Sequence, residues 1–110
     1  MAKGMNLGEF EQHVLMTLIG KQDAYGMSIR QELEEETSRS VSIGAVYATL
    51  ERLEQKGFVK SWLGEPRPER GGRARRHFKI SGAGVAALKT STALLAQRWM
   101  QKYALLGARP

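Results

Sequence analysis

A run of cations between residues 65 and 79 is the part of this 110-residue sequence with the clearest chemistry. It holds six basic side chains and only two acidic ones, Glu65 and Glu69. Cations at this density neutralise the phosphates of a nucleic acid, and each phosphate contact steepens the salt dependence of binding. The alternative is a basic surface segment that only maintains solubility. The six cations are Arg67, Arg70, Arg73, Arg75, Arg76 and Lys79.

Side chains that could hold a metal or build a catalytic site are few. The chain has no cysteine, which excludes disulfides, thiolate metal ligands and cysteine nucleophiles. The two histidines, His13 and His77, fall in unrelated segments, without acidic residues at a spacing that would complete a metal site. Neither a phosphate-binding loop nor a Ser/His/Asp order is present. We therefore expect no metal, no cofactor and no enzymatic activity.

The overall composition indicates one globular domain with a polyanionic partner. A chain of 110 residues has room for one domain, and 42% hydrophobic with 25% charged residues is ordinary for such a domain. The formal net charge of +6 favours nucleic acid or an acidic membrane face as the partner. We see no signal peptide and no run of about 18 apolar residues. These features predict a cytoplasmic protein that does not enter a membrane.

The spacing of apolar residues predicts four helices and one β-hairpin. Apolar side chains recur every three or four residues in the helices and every second residue in the hairpin. Asp23, Ser42 and Ser81 stand where helix N-caps are expected. Gly57 supplies a left-handed stop for the third helix. The predicted elements are helices over residues 7–19, from Asp23 to about residue 36, over 43–56 and over 82–106, and strands over 58–63 and 74–80 joined by a turn over 64–72.

The third predicted helix is the candidate for reading bases, because an α-helix fits the major groove of DNA. Small side chains on its outward face allow a close approach, and hydroxyl and guanidinium groups supply hydrogen bonds. Tyr47 could reach a phosphate through its hydroxyl. Glu51 and Glu54 on the same helix favour the alternative, a solvated face. The predicted outward positions are Ser42, Gly44, Ala45, Ala48, Thr49 and Arg52.

The hairpin is the candidate for phosphate contacts. Alternate residues of its returning strand point to opposite faces. An arginine at the tip of such a hairpin can also enter a narrow minor groove. The predicted contacts are Arg73, Arg75 and His77 on one face and Arg76, which shares the other face with Phe78 and Ile80.

The last predicted helix is longer than a domain of this size needs to cover its own core, since about 24 residues span roughly 36 Å. Its apolar residues repeat by three and four and form a heptad-like seam with two polar interruptions. An aromatic residue on such a seam, here Trp99, usually belongs to a packed core. The seam consists of Val85, Leu88, Thr92, Leu95, Trp99, Lys102 and Leu106.

The order helix, helix, helix, strand, strand, helix predicts an α+β, mainly α fold. Three N-terminal helices followed by a two-stranded hairpin are the parts of a winged helix-turn-helix. We assign residues 1–80 to this DNA-binding domain and residues 81–110 to the long C-terminal helix, all in one compact unit.

Three separated segments of the sequence together resemble the PadR family of bacterial transcriptional regulators. They are YGMSI at 25–29, GAVYATLERLEQKG at 44–57 and GRARRHFKISGAG at 72–84. They occur in the family's order and with its gaps, and they resemble the short subfamily, which has one C-terminal helix. At one position the chain departs from the family, which commonly has Pro where Ala48 stands. Alanine favours a regular helix at this position. We therefore expect the local pattern of DNA contacts to differ from that of the family.

The resemblance implies a homodimer in which the last helix packs on the partner's first helix. It also implies repression that is often relieved by a small aromatic or drug-like effector. In some short members the effector occupies an apolar pore between protomers, flanked by a Trp from each last helix, and Trp99 with Met100 lies at a comparable place. Tyr25, in the first segment, joins the predicted DNA-binding residues. The implied dimer interface is Phe10, Val14, Leu88, Leu95, Trp99 and Tyr103, with packing inside one chain as the alternative for Phe10 and Val14.

Two functions remain open at this point. The first is a dimeric, sequence-specific repressor on an inverted repeat in double-stranded DNA, with half-sites about one helical turn, ~10 bp, apart. The second is a winged-helix module that binds protein and not nucleic acid, through the acidic end of the second helix. That acidic end consists of Glu32, Glu34, Glu35 and Glu36.

Overall fold

The computed structural model describes residues 7–107, apart from the side chain of Arg70. Over this part of the chain the fold is mainly helical, and the four predicted helices and two predicted strands are all present. In chain order the elements are α1 (Glu9–Leu18), β1 (Ala24–Tyr25), α2 (Gly26–Thr37), α3 (Ile43–Gln55), β2 (Val59–Leu63), a 3-10 turn (Pro68–Arg70), β3 (Arg76–Ile80) and α4 (Gly82–Leu105).

The sheet has three strands and not the two of the predicted hairpin. The short strand β1 pairs with β3 on the side away from β2, so the antiparallel order is β1–β3–β2. Sequence patterning missed β1 because two residues are too few for an alternating pattern. The extra strand attaches the start of α2 to the wing, which consists of β2, β3 and the loop between them.

Serine side chains cap the N-termini of two helices, as predicted. Ser42 Oγ accepts a hydrogen bond of 3.0 Å from the amide of Ala45 ahead of α3. Ser81 Oγ accepts one of 3.0 Å from the amide of Gly84 ahead of α4. Each bond satisfies an amide that has no partner within its own helix.

The prediction that Asp23 caps α2 is wrong. The chain first forms β1, and α2 begins directly after it, with Tyr25 as the capping residue. Ser28 Oγ accepts from the backbone amide of Tyr25 at 3.0 Å and donates to the Tyr25 carbonyl at 2.9 Å. The start of α2 is therefore tied to the residue that ends the strand.

The core joins α1, α2 and α3 to the sheet and to the start of α4. Val14 and Leu88, which the resemblance placed at a dimer interface, lie in this core instead. Val14 is fully buried and Leu88 is 7% exposed, so neither has surface to offer a second chain. The physical reason is that the domain is small and needs these positions on α1 and α4 to close its own core.

Helix α4 packs on the body only near its start. A Cβ at Gly84 would overlap the carbonyl oxygen of Phe58, which shows how closely this turn approaches the chain before the wing. Ala87, one turn later, is fully buried. From residue 92 to 107 every residue is exposed except the half-buried Tyr103. The helix therefore extends away from the body, and the described residues span 61 × 33 × 22 Å.

Candidate nucleic-acid interface

Helix α3 presents small side chains to solvent on its first two turns. The apolar positions that hold it against the core recur at helical spacing, with Val46, Leu50 and Leu53 fully buried. The opposite side is left with little side-chain bulk, which allows a groove of DNA to approach closely. The predicted outward positions that are exposed are Ser42, Gly44, Ala45, Ala48 and Arg52.

The prediction that Thr49 faces outward is wrong. Its side chain is 2% exposed, because position 49 follows Val46 by three residues and shares the buried face with it. Its hydroxyl is used inside the protein, where it accepts a hydrogen bond of 3.1 Å from Nη2 of Arg52. A residue this deeply buried is not available to a base edge.

Arg52 points toward α1. Its Nε lies 3.7 Å from Oε2 of Glu11, and its Nη2 donates to Thr49. Half of the side chain is still exposed, so a contact with DNA stays a prediction. The guanidinium would then bind a phosphate on the α1 side of the helix.

Glu11 joins the start of α1 to the end of α3. Lys56 Nζ lies 3.0 Å from its Oε2, and the amide of Gly8 donates to its Oε1 at 2.9 Å. Burial acts to raise the pKa of this carboxyl, but the Gly8 amide, Lys56 and Arg52 outweigh burial and hold the pKa below its ordinary value of 4.5. The sequence pattern does not predict this ion pair, since Glu11 and Lys56 are 45 residues apart.

Tyr47 lies at the junction of α2, α3 and the wing. Its ring covers Gly26 so closely that a Cβ at Gly26 would overlap it. The Tyr47 and Phe78 ring centroids are 6.3 Å apart. The side chain is nevertheless 45% exposed. The position is therefore fixed by packing while part of the ring stays in solvent, as a phosphate ligand requires.

The outer face of the sheet carries a row of three rings. The register of the strands sets Tyr25 and Trp62 on either side of His77. Tyr25 meets the His77 ring edge-on at 6.3 Å, and Trp62 lies 5.7 Å from it. His77 Nδ1 donates to the carbonyl oxygen of Asp23 at 2.8 Å. His77 thus braces the base of the wing, and its predicted contact with DNA stays a prediction.

Arg76 connects the wing to α3 through a short chain of hydrogen bonds. Its Nη1 donates to Ser61 Oγ at 3.0 Å, and that hydroxyl donates to Oε2 of Glu54 at 2.7 Å. The wing and α3 are therefore held at a defined distance from each other.

Five of the predicted DNA-binding side chains meet at one opening, which we call the wing cleft. It has a volume of about 430 Å³ and lies between the wing and the starts of α2 and α3. Two exposed apolar residues, Met27 and Leu63, line it as well and were not predicted as site residues. Their only sequence signal is that they flank Tyr25 and the cationic run. The lining residues are Tyr25, Met27, Tyr47, Leu63, Arg73, Ala74, Arg75 and Arg76.

The outer part of α4 presents a second exposed apolar surface. Trp99 is 57% exposed, and its ring lies 5.3 Å from that of Tyr103, four residues later on the same helix face. Leu95 and Met100 are also exposed. Phe10 on α1 is half-buried and packs on the core of its own chain.

Among residues 7–107, no group of three or more His, Asp or Glu side chains could hold a metal ion. In the same part of the chain no helix has the length and apolar character needed to cross a bilayer.

Three helices, a wing and a cationic cleft between them define a winged-helix DNA-binding protein. The model of the "Transcriptional regulator PadR-like family" matches residues 14–90. This chain belongs to that family, which confirms the resemblance seen in the three sequence segments. Members of the family are transcriptional regulators, so the chain is not an enzyme. No curated protein sequence matches it.

Solved structures share the fold along most of the chain. A PadR-like transcriptional regulator from Bacillus cereus strain ATCC 14579 has a TM-score of 0.70 and 20% identity, and the match covers 99% of this chain and 98% of that one. A PadR family regulator from Eggerthella lenta DSM 2243 gives 0.72 and 19%, over 91% and 83%. A transcriptional regulator from Clostridium thermocellum gives 0.66 and 21%, over 96% and 93%. These similarities confirm the predicted winged-helix fold.

Proposed function

We propose that this PadR-like regulator is a homodimeric repressor that binds an inverted repeat in double-stranded DNA. The observation that carries the proposal is the wing cleft, where two tyrosines and three arginines from three elements surround one opening. Arginine and tyrosine are among the side chains that contact DNA phosphates. A strand of the duplex backbone lying across this cleft would bring the start of α3 to the adjacent major groove.

Affinity and specificity come from different elements in this proposal. The arginines of the wing neutralise phosphates and make binding depend on salt, but they carry little sequence information. Sequence would be read by the exposed side of α3. Ser42 supports this division, because its Oγ accepts from Ala45 and keeps its own proton to donate to DNA.

The homodimer rests on the exposed outer part of α4. Leu95, Trp99 and Tyr103 lie on one side of the helix and extend beyond the body of the protomer. Apolar patches of this kind on a protein surface mark interaction sites. A two-fold dimer presents two copies of α3, and these would reach half-sites about 10 bp apart, or a multiple of that spacing. We place this regulator in the cytoplasm, together with the DNA that it would bind.

A small aromatic effector would bind between the two α4 helices. Trp99 offers an exposed indole for stacking, and Met100 beside it adapts to ligands of different shape. Repression would be relieved if the effector-bound dimer holds the two wings at a spacing that no longer fits the operator. The competing arrangement is a closed dimer core at Trp99 without a ligand.

The alternative of a protein-binding module has weaker support. Glu32 of the acidic run pairs with Lys21 at 2.9 Å, and Glu34 accepts from the amide of Val41 at 2.8 Å. These bonds hold the helix end within its own domain. Only Glu35 and Glu36 remain as exposed acidic residues of the run.

A footprint on the DNA upstream of the protein's own gene tests the leading function. We expect a protected inverted repeat, and binding that survives an excess of random duplex at moderate salt. Equal competition by random duplex would exclude sequence-specific binding. No affinity for any duplex at low salt would favour the protein-binding module instead.

A further inference from the structure

Glu51 is an acidic residue on the side of α3 that faces away from the core. It lies three residues after Ala48, and both are exposed. With 3.6 residues per turn, Gly44 and Gln55 continue the same row along the helix. This row is opposite the buried positions, so a major groove that receives α3 would meet Glu51 directly.

Glu51 lines a groove of about 620 Å³ between α3 and the wing. Its neighbour Glu54 lines the same groove but already accepts a hydrogen bond from Ser61. Ser61 in turn accepts one from Arg76. Within residues 7–107 the structure gives Glu51 no hydrogen bond or ion pair. Of the two carboxylates in the groove, Glu51 is the one with neither oxygen bound within the described part of the protein, so both of its oxygens can accept hydrogen bonds from a partner molecule.

A carboxylate beside a polyanion raises the free energy of the complex unless it accepts a hydrogen bond. The major groove offers hydrogen-bond donors only at the amino groups of cytosine and adenine. Adenine pairs its amino group with an adjacent N7 acceptor, which repels a carboxylate and suits an amide side chain. Cytosine presents its N4 amino group as the partner for Asp and Glu.

We infer that Glu51 reads a cytosine in each half-site of the operator. This inference rests on the proposed function. Glu51 acts as a specificity-determining residue: it accepts a hydrogen bond from cytosine N4 and disfavours any base that offers only acceptors at that position. Ala48, one turn earlier, leaves room for the base edge. The charge on Glu51 also lowers the affinity for DNA of unrelated sequence.

Selection of duplexes from a random pool, followed by competition with single base-pair changes, tests this role with the full-length protein. The wild type should prefer cytosine over other bases by about tenfold at one position in each half-site. Glu51→Ala should lose the preference at that position alone. Glu51→Gln should shift it toward adenine, because an amide matches the donor and acceptor of adenine.

Glu35→Gln is the matched control, because it removes the same charge from an exposed site on α2. Both variants should bind random duplex slightly more tightly, but only Glu51→Gln should change the selected sequence. Selection of one unchanged sequence by the wild type, Glu51→Ala and Glu51→Gln would overturn the inference and leave the repressor proposal intact. If the wild type itself selects no sequence, the proposed function fails and the inference fails with it.

Discussion

The guanidinium carbon of Arg75 lies 3.7 Å from the centre of the Tyr25 ring. The two residues are 50 positions apart in the sequence, and the pairing of β1 with β3 brings them together. A cation over an aromatic face is held by the ring's electrostatic field and by stacking. The guanidinium is therefore oriented before DNA arrives, and less side-chain entropy is lost on binding.

Arg75→Ala should weaken binding to the operator by about tenfold and reduce the slope of log affinity against log salt by roughly one. Lys89→Ala on α4 is the control, because it removes the same charge at a distance from the wing cleft. Fluorescence anisotropy over a salt series measures both quantities. Equal slopes for Arg75→Ala and wild type would remove Arg75 from the phosphate contacts.

Thr49→Val should leave the affinity for DNA within about twofold of the wild type. The hydroxyl lies in the core, and its hydrogen-bond partner among residues 7–107 is Arg52. Its loss should instead lower the free energy of unfolding by about 1 kcal/mol, the typical net value of one hydrogen bond. Urea unfolding and anisotropy separate these effects. A large loss of affinity at unchanged stability would show that Thr49 touches DNA after all.

Trp99→Ala should shift the protein from dimer to monomer at micromolar concentration. Truncating an aromatic residue at the centre of an interface commonly costs about 2 kcal/mol or more. Leu94→Ala, on another side of the same helix and equally exposed, should leave the dimer intact. Light scattering during size-exclusion chromatography reports the mass. If Trp99→Ala remains fully dimeric, the proposed interface is in the wrong place.

Glu11→Gln should lower the free energy of unfolding by about 1–3 kcal/mol at pH 7, because a partly buried ammonium loses its charged partner. The pKa of Glu11 is below its ordinary 4.5 in the folded state. Its contribution to stability is therefore complete above pH 4.5 and is lost as the pH falls through the lowered value.

Denaturant unfolding between pH 3 and pH 7 measures this dependence. The difference between wild type and Glu11→Gln should shrink toward low pH. Glu35→Gln, which removes an exposed carboxylate, should follow the wild-type curve. A constant difference between wild type and Glu11→Gln at every pH would show that ionisation of Glu11 does not stabilise the fold.

Planar aromatic compounds should quench the fluorescence of Trp99 if the dimer encloses an effector site. Trp62 also fluoresces, so the titration requires Trp62→Phe, which leaves Trp99 as the one indole in the chain. Quenching that saturates, and that releases operator DNA in parallel, is the expected result. Absence of quenching across a broad panel would favour a closed core at Trp99.

Sequence patterning located the helices, the wing and their functional class, because these depend on neighbours a few residues apart. Ser42 and Ser81 act as caps within one turn of their helices, and the cations of the wing are close together in the chain. One error arose where polarity suggested exposure. An inward face made of apolar residues alone predicts an outward Thr49, although helical geometry places it on the same face as Val46. Glu11 received no role, since its partners come from the far end of α3.

The contact between Tyr25 and Arg75 illustrates which features the sequence determines and which depend on the tertiary structure. The sequence by itself determined that residues 73–76 are cationic, that an amphipathic helix precedes the wing, and that a long apolar seam follows it. Tertiary structure alone decided that Arg75 lies over Tyr25, that Val14 and Leu88 belong to one protomer's core, and that Trp99 is exposed on the surface of the protomer. Charge and periodicity are local properties of a chain. Contacts between distant residues depend on strand pairing and on the packing of whole elements, which no short segment specifies.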